Sequence, residues 1–449
     1  MNRMKLVAAA FLVLGATPYA QAQTSPSPQQ SAPPAETQPT TASTAAPKDK
    51  GEYLARAGDC IACHSVTGGK AFAGGLKMGT PLGAIYSTNI TPDPETGIGN
   101  YSFDDFDRAV RGGVAKDGHH LYPAMPYPSY AKVSDDDMHA LYDFFMKDVP
   151  PVKQANQANE IPGYLSFRWP IAIWNTLFVD KAPYAAKSDH DAVWNRGAYL
   201  VEGLEHCGAC HTPRGLAFQE KALDDGSSSY LGGAELDAWY APDLRQDANA
   251  GLAAWSQGDI ATFLKTGHNI GAVAFGSMLD VVNNSTPYLT DDDLNAMAAY
   301  LKSLPATQQQ TPVSYDNATT TALAAGKTDR PGAAVYLGNC AFCHGVDGKG
   351  QAPFIPPLAG NPVVLDSDPA SLINLVLNGA EPIVIKGQPD PYRMPQYRVQ
   401  LTDDEIAGAL TFIRSGWGNN AGAVAADDVK KLRPVTDPSN DRYLVLKMR

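Results

Sequence analysis

Three copies of one five-residue pattern constrain this chain more than any other feature: Cys60-Ile61-Ala62-Cys63-His64, Cys207-Gly208-Ala209-Cys210-His211 and Cys340-Ala341-Phe342-Cys343-His344. Together they use all six cysteines of the 449 residues. C-x-x-C-H is the attachment signature of a c-type haem. On a helical turn this spacing sets both sulfurs along one edge, where each can add to one vinyl group of the porphyrin. The histidine that follows brings its imidazole beneath the ring as the proximal iron ligand. Cys60, Cys63, Cys207, Cys210, Cys340 and Cys343 are therefore the expected cofactor-binding residues, and His64, His211 and His344 the expected metal ligands. The other chemistries of C-x-x-C fit less well. A thioredoxin-type pair does not explain a histidine after every second cysteine. Zinc would need the pairs to combine in fours, and a disulfide framework belongs to small, loop-rich chains.

With 44% hydrophobic and 18% charged residues the composition is that of a globular protein, and the length suits about three domains. The net charge of −12, from 35 basic and 47 acidic residues, argues against nucleic acid as a partner. It leaves a membrane surface open, because local patches can depart from the net sign. Residues 1–22 read as a secretory signal: Arg3 and Lys5 give a basic start, Leu6 to Ala16 is apolar, and Ala20-Gln21-Ala22 is a cleavage site. Cleavage would take the charge from −12 to −14. The apolar run is far short of the ~20 residues needed to span a bilayer. Export agrees with the cysteines, since c-type haem is attached in bacteria outside the cytoplasmic membrane. Residues 23–48 are almost all Ser, Pro, Thr, Gln and Ala, too polar to order themselves, and read as a flexible leader.

Around the motifs the sequence repeats itself. Gly51 to Asp59 reads as a helix leading into the first motif. Ser102 in the first unit and Ser256 in the second each stand before an acidic residue and an apolar run, which is a helix start. A later helix recurs three times, opening at Ser134-Asp135-Asp136-Asp137, Thr290-Asp291-Asp292-Asp293 and Thr402-Asp403-Asp404-Glu405. The hydroxyl residue is the N-cap, the acids favour the positive helix end, and Thr402 with Glu405 forms a capping box. Leu141, Phe144 and Phe145, then Met297, Tyr300 and Leu301, then Leu410 and Ile413 follow at helical spacing. A repeat of about 140 residues is too long for a solenoid. The expected fold is mainly α, with three homologous small helical domains in tandem, each around one covalent haem. They span 49–155, 187–308 and 329–420, separated by an aromatic segment at 156–186 and a linker at 309–328, with a tail at 421–449.

Methionine is the expected sixth iron ligand, a soft thioether that holds reduced iron well and raises its potential. Met394, eight residues before Thr402, is the one methionine between His344 and the tail. Met125 stands nine residues before Ser134 and Met278 twelve before Thr290, so the three occupy corresponding places in loops ahead of the last helix. Met138, Met146 and Met297 lie within the last helices and read as core filler. His119, His120 and His268 are rival ligands that read better as exposed loop histidines. Between the first two domains, Phe167-Arg168-Trp169-Pro170-Ile171-Ala172-Ile173-Trp174 is too short and too broken by Pro170 to span a bilayer. It suits either a packing strap or a contact with a partner subunit or the membrane interface.

Further stretches carry a resemblance: Tyr86-Ser87-Thr88-Asn89-Ile90-Thr91-Pro92-Asp93, Tyr122-Pro123-Ala124-Met125-Pro126-Tyr127, Arg168-Trp169-Pro170, His211-Thr212-Pro213-Arg214-Gly215 and Pro356-Pro357-Leu358-Ala359-Gly360-Asn361-Pro362. From about Gly51 to Arg433 the chain resembles the tri-haem cytochrome c subunit of the membrane-bound dehydrogenases of acetic acid bacteria and their relatives. These are the flavin-dependent gluconate, sorbitol and fructose enzymes and the quinoprotein alcohol dehydrogenase. The resemblance implies three cytochrome c-like domains and a catalytic partner that carries the FAD or PQQ. It also implies ubiquinone as acceptor and a place on the periplasmic face of the membrane, and it leaves a third small subunit open. It implies a relay: the partner's cofactor takes two electrons from substrate, and three haems carry them off singly. No Ser/His/Asp set, paired-carboxylate motif or phosphate loop marks the chain as a substrate oxidoreductase itself, so no residue of it is expected to be catalytic. A peroxidase would need an open iron, which the three methionines oppose. A free periplasmic electron shuttle is the other alternative.

Overall fold

The computed structural model describes residues 47–80, 82–236, 238–385 and 390–439. The expected signal at 1–22, nearly all of the leader, and the end of the tail lie outside the described residues. The described chain is mostly helical, with two short hairpins. Each unit follows one plan. An opening helix (Lys50–Ala57, Ala192–Tyr199, Ala333–Asn339) leads into the motif turn. A middle helix (Phe103–Gly112, Gln257–Thr266, Ala370–Asn378) follows, and a closing helix (Asp135–Asp143, Asp291–Ser303, Asp403–Arg414) ends the unit. The helix starts stand where local chemistry puts them. Ser134 and Thr290 accept the backbone N–H of Asp137 and Asp293, and Ser102, Ser256 and Thr402 each form a full capping box.

Opening and closing helices cross at a glycine in every unit. A side chain on Gly51 would run into the carbonyl oxygen of Ala140, one on Gly197 into that of Ala296, and one on Gly332 into that of Gly408. With no Cβ the two backbones close up, and the apolar faces meet behind them. Leu141, Phe144, Phe145, Met297, Tyr300, Leu301, Leu410 and Ile413 are all buried there, Met297 and Met138 as core filler, with Met146 half-buried against the same core.

The first two units share one hydrophobic core, and the third has its own. The shared core is locked by a reciprocal exchange. Tyr53 of the first opening helix donates to Asp293 at the start of the second closing helix (2.5 Å), and Tyr199 of the second opening helix donates to Asp137 of the first closing helix (2.6 Å). Each aspartate also takes a cation, Arg196 on Asp293 (2.7 Å) and Lys50 on Asp137 (2.6 Å). The first two units thus meet in an isologous manner, as two copies of a dimer would.

The aromatic segment contains the helix Trp169–Phe178, which buries Asn175 and leaves Trp169, Ile173 and Leu177 exposed. The expected linker is partly ordered into the third unit: Ala318–Ala324 is helical and buries Leu323 in that core. Part of the tail does the same, since Ala426–Val435 is a helix with Val429 buried and Arg433 paired to Asp403 (2.7 Å). Among the described residues no helix is long and apolar enough to cross a membrane.

Candidate functional site

Each motif is a single helical turn: Cys60–Cys63, Gly208–His211 and Ala341–His344. Asp59 and His206, the residues just before the first two motifs, take left-handed φ values of 46° and 38°, which turn the chain sharply from the opening helix into the cysteine turn. All six cysteines are half-buried. Burial, followed by the neighbouring Asp59 charge, pushes the Cys60 thiol up to about 12; burial then the Cys343 thiol push Cys340 up to about 11.

The histidines carry the feature that best tests the fit to haem. His64 Nδ1 lies 2.7 Å from the carbonyl oxygen of Thr88, His211 Nδ1 2.7 Å from that of Pro242, and His344 Nδ1 3.1 Å from that of Pro356. A carbonyl only accepts, so Nδ1 carries the proton and Nε2 keeps its lone pair for a metal. Burial holds all three imidazoles below the usual histidine range, opposed by these backbone bonds, which favours the neutral, ligating form. One arrangement made three times from three different loops fits a proximal haem ligand.

In the first two units, hairpins supply the carbonyls. Strands β1 (Lys77–Thr80) and β2 (Gly83–Tyr86) deliver Thr88, and β3 (Gly232–Leu236) and β4 (Trp239–Asp243) deliver Pro242. The third unit uses the turn closed by Gln351 and Ile355. Sequence reasoning missed Thr88, Pro242 and Pro356 as site residues. Every residue has a carbonyl, so side-chain chemistry gives no signal for this role. Thr88 and Pro356 do fall inside two of the resemblance-bearing stretches.

Met125, Met278 and Met394 are each half-buried. Met125 packs against the shared core in a loop braced from the aromatic segment. Arg168 lies 4.2 Å over the Tyr122 ring and donates to the His120 carbonyl (2.9 Å), and Tyr127 donates to Asn175 (2.8 Å). Just beyond, Tyr130 donates to the Gly58 carbonyl ahead of the first motif (2.7 Å), which ties the methionine side to the cysteine side. Met394 lies on an extended segment whose carbonyl accepts from Ala380 (3.0 Å), and Tyr397 donates to the Asn339 carbonyl directly before Cys340 (2.8 Å). Met278 departs from the expected loop: it begins the short helix Met278–Asn284, which packs against the first unit's cysteine turn. The helix buries Leu279 and Val282 behind Met278.

Of the rival histidines, His119 is exposed, and His120 sits within reach of the Asn175 amide (3.3 Å). His268 contradicts its reading as an exposed loop residue. It is only 9% exposed, because the loop that carries it is covered by the third unit.

The cytochrome c family model matches three stretches of this chain, residues 49–147, 195–305 and 330–417. The gluconate 2-dehydrogenase cytochrome c subunit of Pantoea cypripedii is 52% identical over 391 residues, covering 86% of this chain and 89% of that one. The cytochrome c subunit of an alcohol dehydrogenase (quinone) from Gluconobacter oxydans (strain 621H) is 50% identical over 394 residues, 87% of this chain and 82% of that one. The fructose dehydrogenase cytochrome subunit of Gluconobacter japonicus is 37% identical over 422 residues, 88% and 85% of the two chains.

Proposed function

Because the chain belongs to the cytochrome c family and has three covalent haem c sites, we propose that it is the electron-transfer subunit of a dehydrogenase complex that acts on a CH–OH donor. When bound, the haems accept electrons one at a time, which lets a two-electron cofactor on a partner be emptied in single steps. In this reading, Cys60 with Cys63, Cys207 with Cys210 and Cys340 with Cys343 hold the rings. His64, His211 and His344 present Nε2 to the iron, with Thr88, Pro242 and Pro356 fixing their orientation. Met125, Met278 and Met394 would supply the second protein ligand to each iron, and Tyr130 and Tyr397 tie the first and third methionine segments to their cysteine turns.

The repeated Nδ1-to-carbonyl arrangement carries the reading that all three sites serve electron transfer. The near full-length similarity to cytochrome subunits of gluconate, alcohol and fructose dehydrogenases supports a partner of that class. The first assignment is a flavin-bearing partner for a sugar or sugar acid, with ubiquinone as acceptor and the complex held peripherally on the periplasmic face of the membrane. A PQQ-bearing alcohol dehydrogenase is the second, favoured by a relative of almost equal identity. Purification of the native protein from detergent-solubilised membranes tests both. A co-purifying flavoprotein or quinoprotein decides between them, and a monomer in the soluble fraction would refute the subunit reading in favour of a free shuttle.

A further inference from the structure

His268 follows the middle helix of the second unit, in the loop that runs on to Met278. Gly267, at φ +75°, turns the chain back, and a side chain there would meet Ile383 and Val282 at 2.7 Å each. Asn269 holds the loop by accepting from Gly271 (2.8 Å) and Ala272 (2.9 Å) and donating to the Asp259 carbonyl (3.1 Å). Asn361 of the third unit clamps it from outside, donating to the Gly271 carbonyl (3.0 Å). The His268 ring is thereby enclosed, with the Phe354 ring of the third unit 5.6 Å away.

Neither Nδ1 nor Nε2 of this buried ring has a hydrogen-bonding partner among the described residues. A neutral imidazole offers one donor and one acceptor, and native folds seldom bury either unmet. Burial pushes His268 below the usual histidine range, and in either protonation state the ring keeps at least one N–H to donate. The fold itself does not ask for a histidine here. The corresponding position after the first unit's middle helix, past Gly113, is Val114, and the one after Gly379 in the third unit is Ala380. The surroundings indicate what the ring is for. His268 sits on the loop leading to Met278, and Phe354 stands two residues before Pro356, whose carbonyl holds His344. The histidine is therefore placed between the haem-bearing loops of the second and third units. Attachment through two cysteines and the iron leaves the two propionate carboxylates of each haem free to accept hydrogen bonds from the protein or from water.

We propose that His268 donates a hydrogen bond to a haem propionate at the junction of the second and third units, and so sets the midpoint potential of that haem. A donor on the propionate draws negative charge away from the iron. Without it, ferric iron is favoured and the midpoint falls. His268 is a positioning and tuning residue for the relay, and the inference rests on the reading that these units carry haem.

The test is a spectroelectrochemical titration of the full-length holoprotein carrying His268→Phe, His268→Asn or His268→Gln. Phe keeps the ring and removes both nitrogens, whereas Asn and Gln return an N–H near Nδ1 and near Nε2 respectively. The expected result is a lower midpoint for one of three haems in H268F and recovery in H268N or H268Q. Haem content and the sulfur-to-iron absorption band should not change. The haem whose midpoint moves, second or third, identifies the owner of the propionate. Unchanged midpoints in H268F with full haem content overturn the inference and leave the haem reading intact. Loss of the sulfur-to-iron band, or a high-spin signal from one haem, also overturns it, because His268 would then be acting at an iron. A haem content below three in the wild-type protein would instead fail the reading on which the inference rests.

Discussion

Lys132→Met should cost the first two units about 3–5 kcal/mol, the penalty for leaving a buried charge without its partner. Lys132 of the first unit lies 2.7 Å from Glu202 of the second, with the two side chains only 11% and 2% exposed. Glu202 also accepts from Tyr300 (2.6 Å), and Lys132 donates to the Leu223 carbonyl (2.8 Å). Methionine nearly keeps the volume of lysine, so the loss is electrostatic. Burial already holds the Glu202 carboxyl above its usual range, and Lys132 and Tyr300 pull it back. Without Lys132 it rises further, which fixes the sign of the pH dependence. Below the unfolded value of about 4.3 both states carry the proton and the penalty vanishes. It grows as pH rises and is complete above the folded value. Urea unfolding followed by far-ultraviolet circular dichroism at pH 5 and pH 8 reads this directly. With a slope of about 3 kcal/mol per molar, the midpoint of the shared core should fall by about 1 to 1.7 M at pH 8 and by less at pH 5. Adding Glu202→Gln should restore most of the loss. A deficit under about 1 kcal/mol at pH 8, the cost of an exposed pair, would refute the reasoning, as would no recovery in the double variant.

Met394→Ala should leave the third haem attached through Cys340 and Cys343 but open its iron, so the sulfur-to-iron band should fall by roughly a third if three similar sites contribute; an unchanged band removes Met394 from the ligand set. Gly197→Ala forces a methyl group onto the Ala296 carbonyl and should cost about 1–3 kcal/mol in the same urea assay, with no such loss at an exposed control glycine of ordinary φ such as Gly422. Arg168→Ala removes both the contact over Tyr122 and the bond to His120, so the first unit's share of the sulfur-to-iron band should weaken while haem content stays at three; an unaltered band would mean that the Met125 loop holds itself.

The sequence discloses what local chemistry dictates. Covalent attachment demands two cysteines with two residues between them and a histidine directly behind, and no tertiary context is needed to see it. Hydroxyl caps at Ser134, Thr290 and Thr402 are equally local, and the structure bears them out. The carbonyls of Thr88, Pro242 and Pro356 are not legible, because a backbone acceptor is selected by the path of the chain. The Tyr53–Asp293 and Tyr199–Asp137 exchange was hidden for a related reason: each pair joins residues of two different repeats, and a repeat read alone supplies only half of it. In sequence His268 reads as an exposed loop histidine, because its burial comes from the third unit, which lies far along the chain.

The claim that this chain relays electrons without handling substrate is tested most directly by His344→Ala in the assembled complex. Substrate oxidation is measured there with a dye that takes electrons straight from the partner's cofactor, beside reduction of ubiquinone, with assembly checked by co-purification. The account predicts that dye-linked oxidation survives and quinone reduction collapses. Loss of dye-linked oxidation in an assembled complex, or quinone reduction at the full rate, would contradict it.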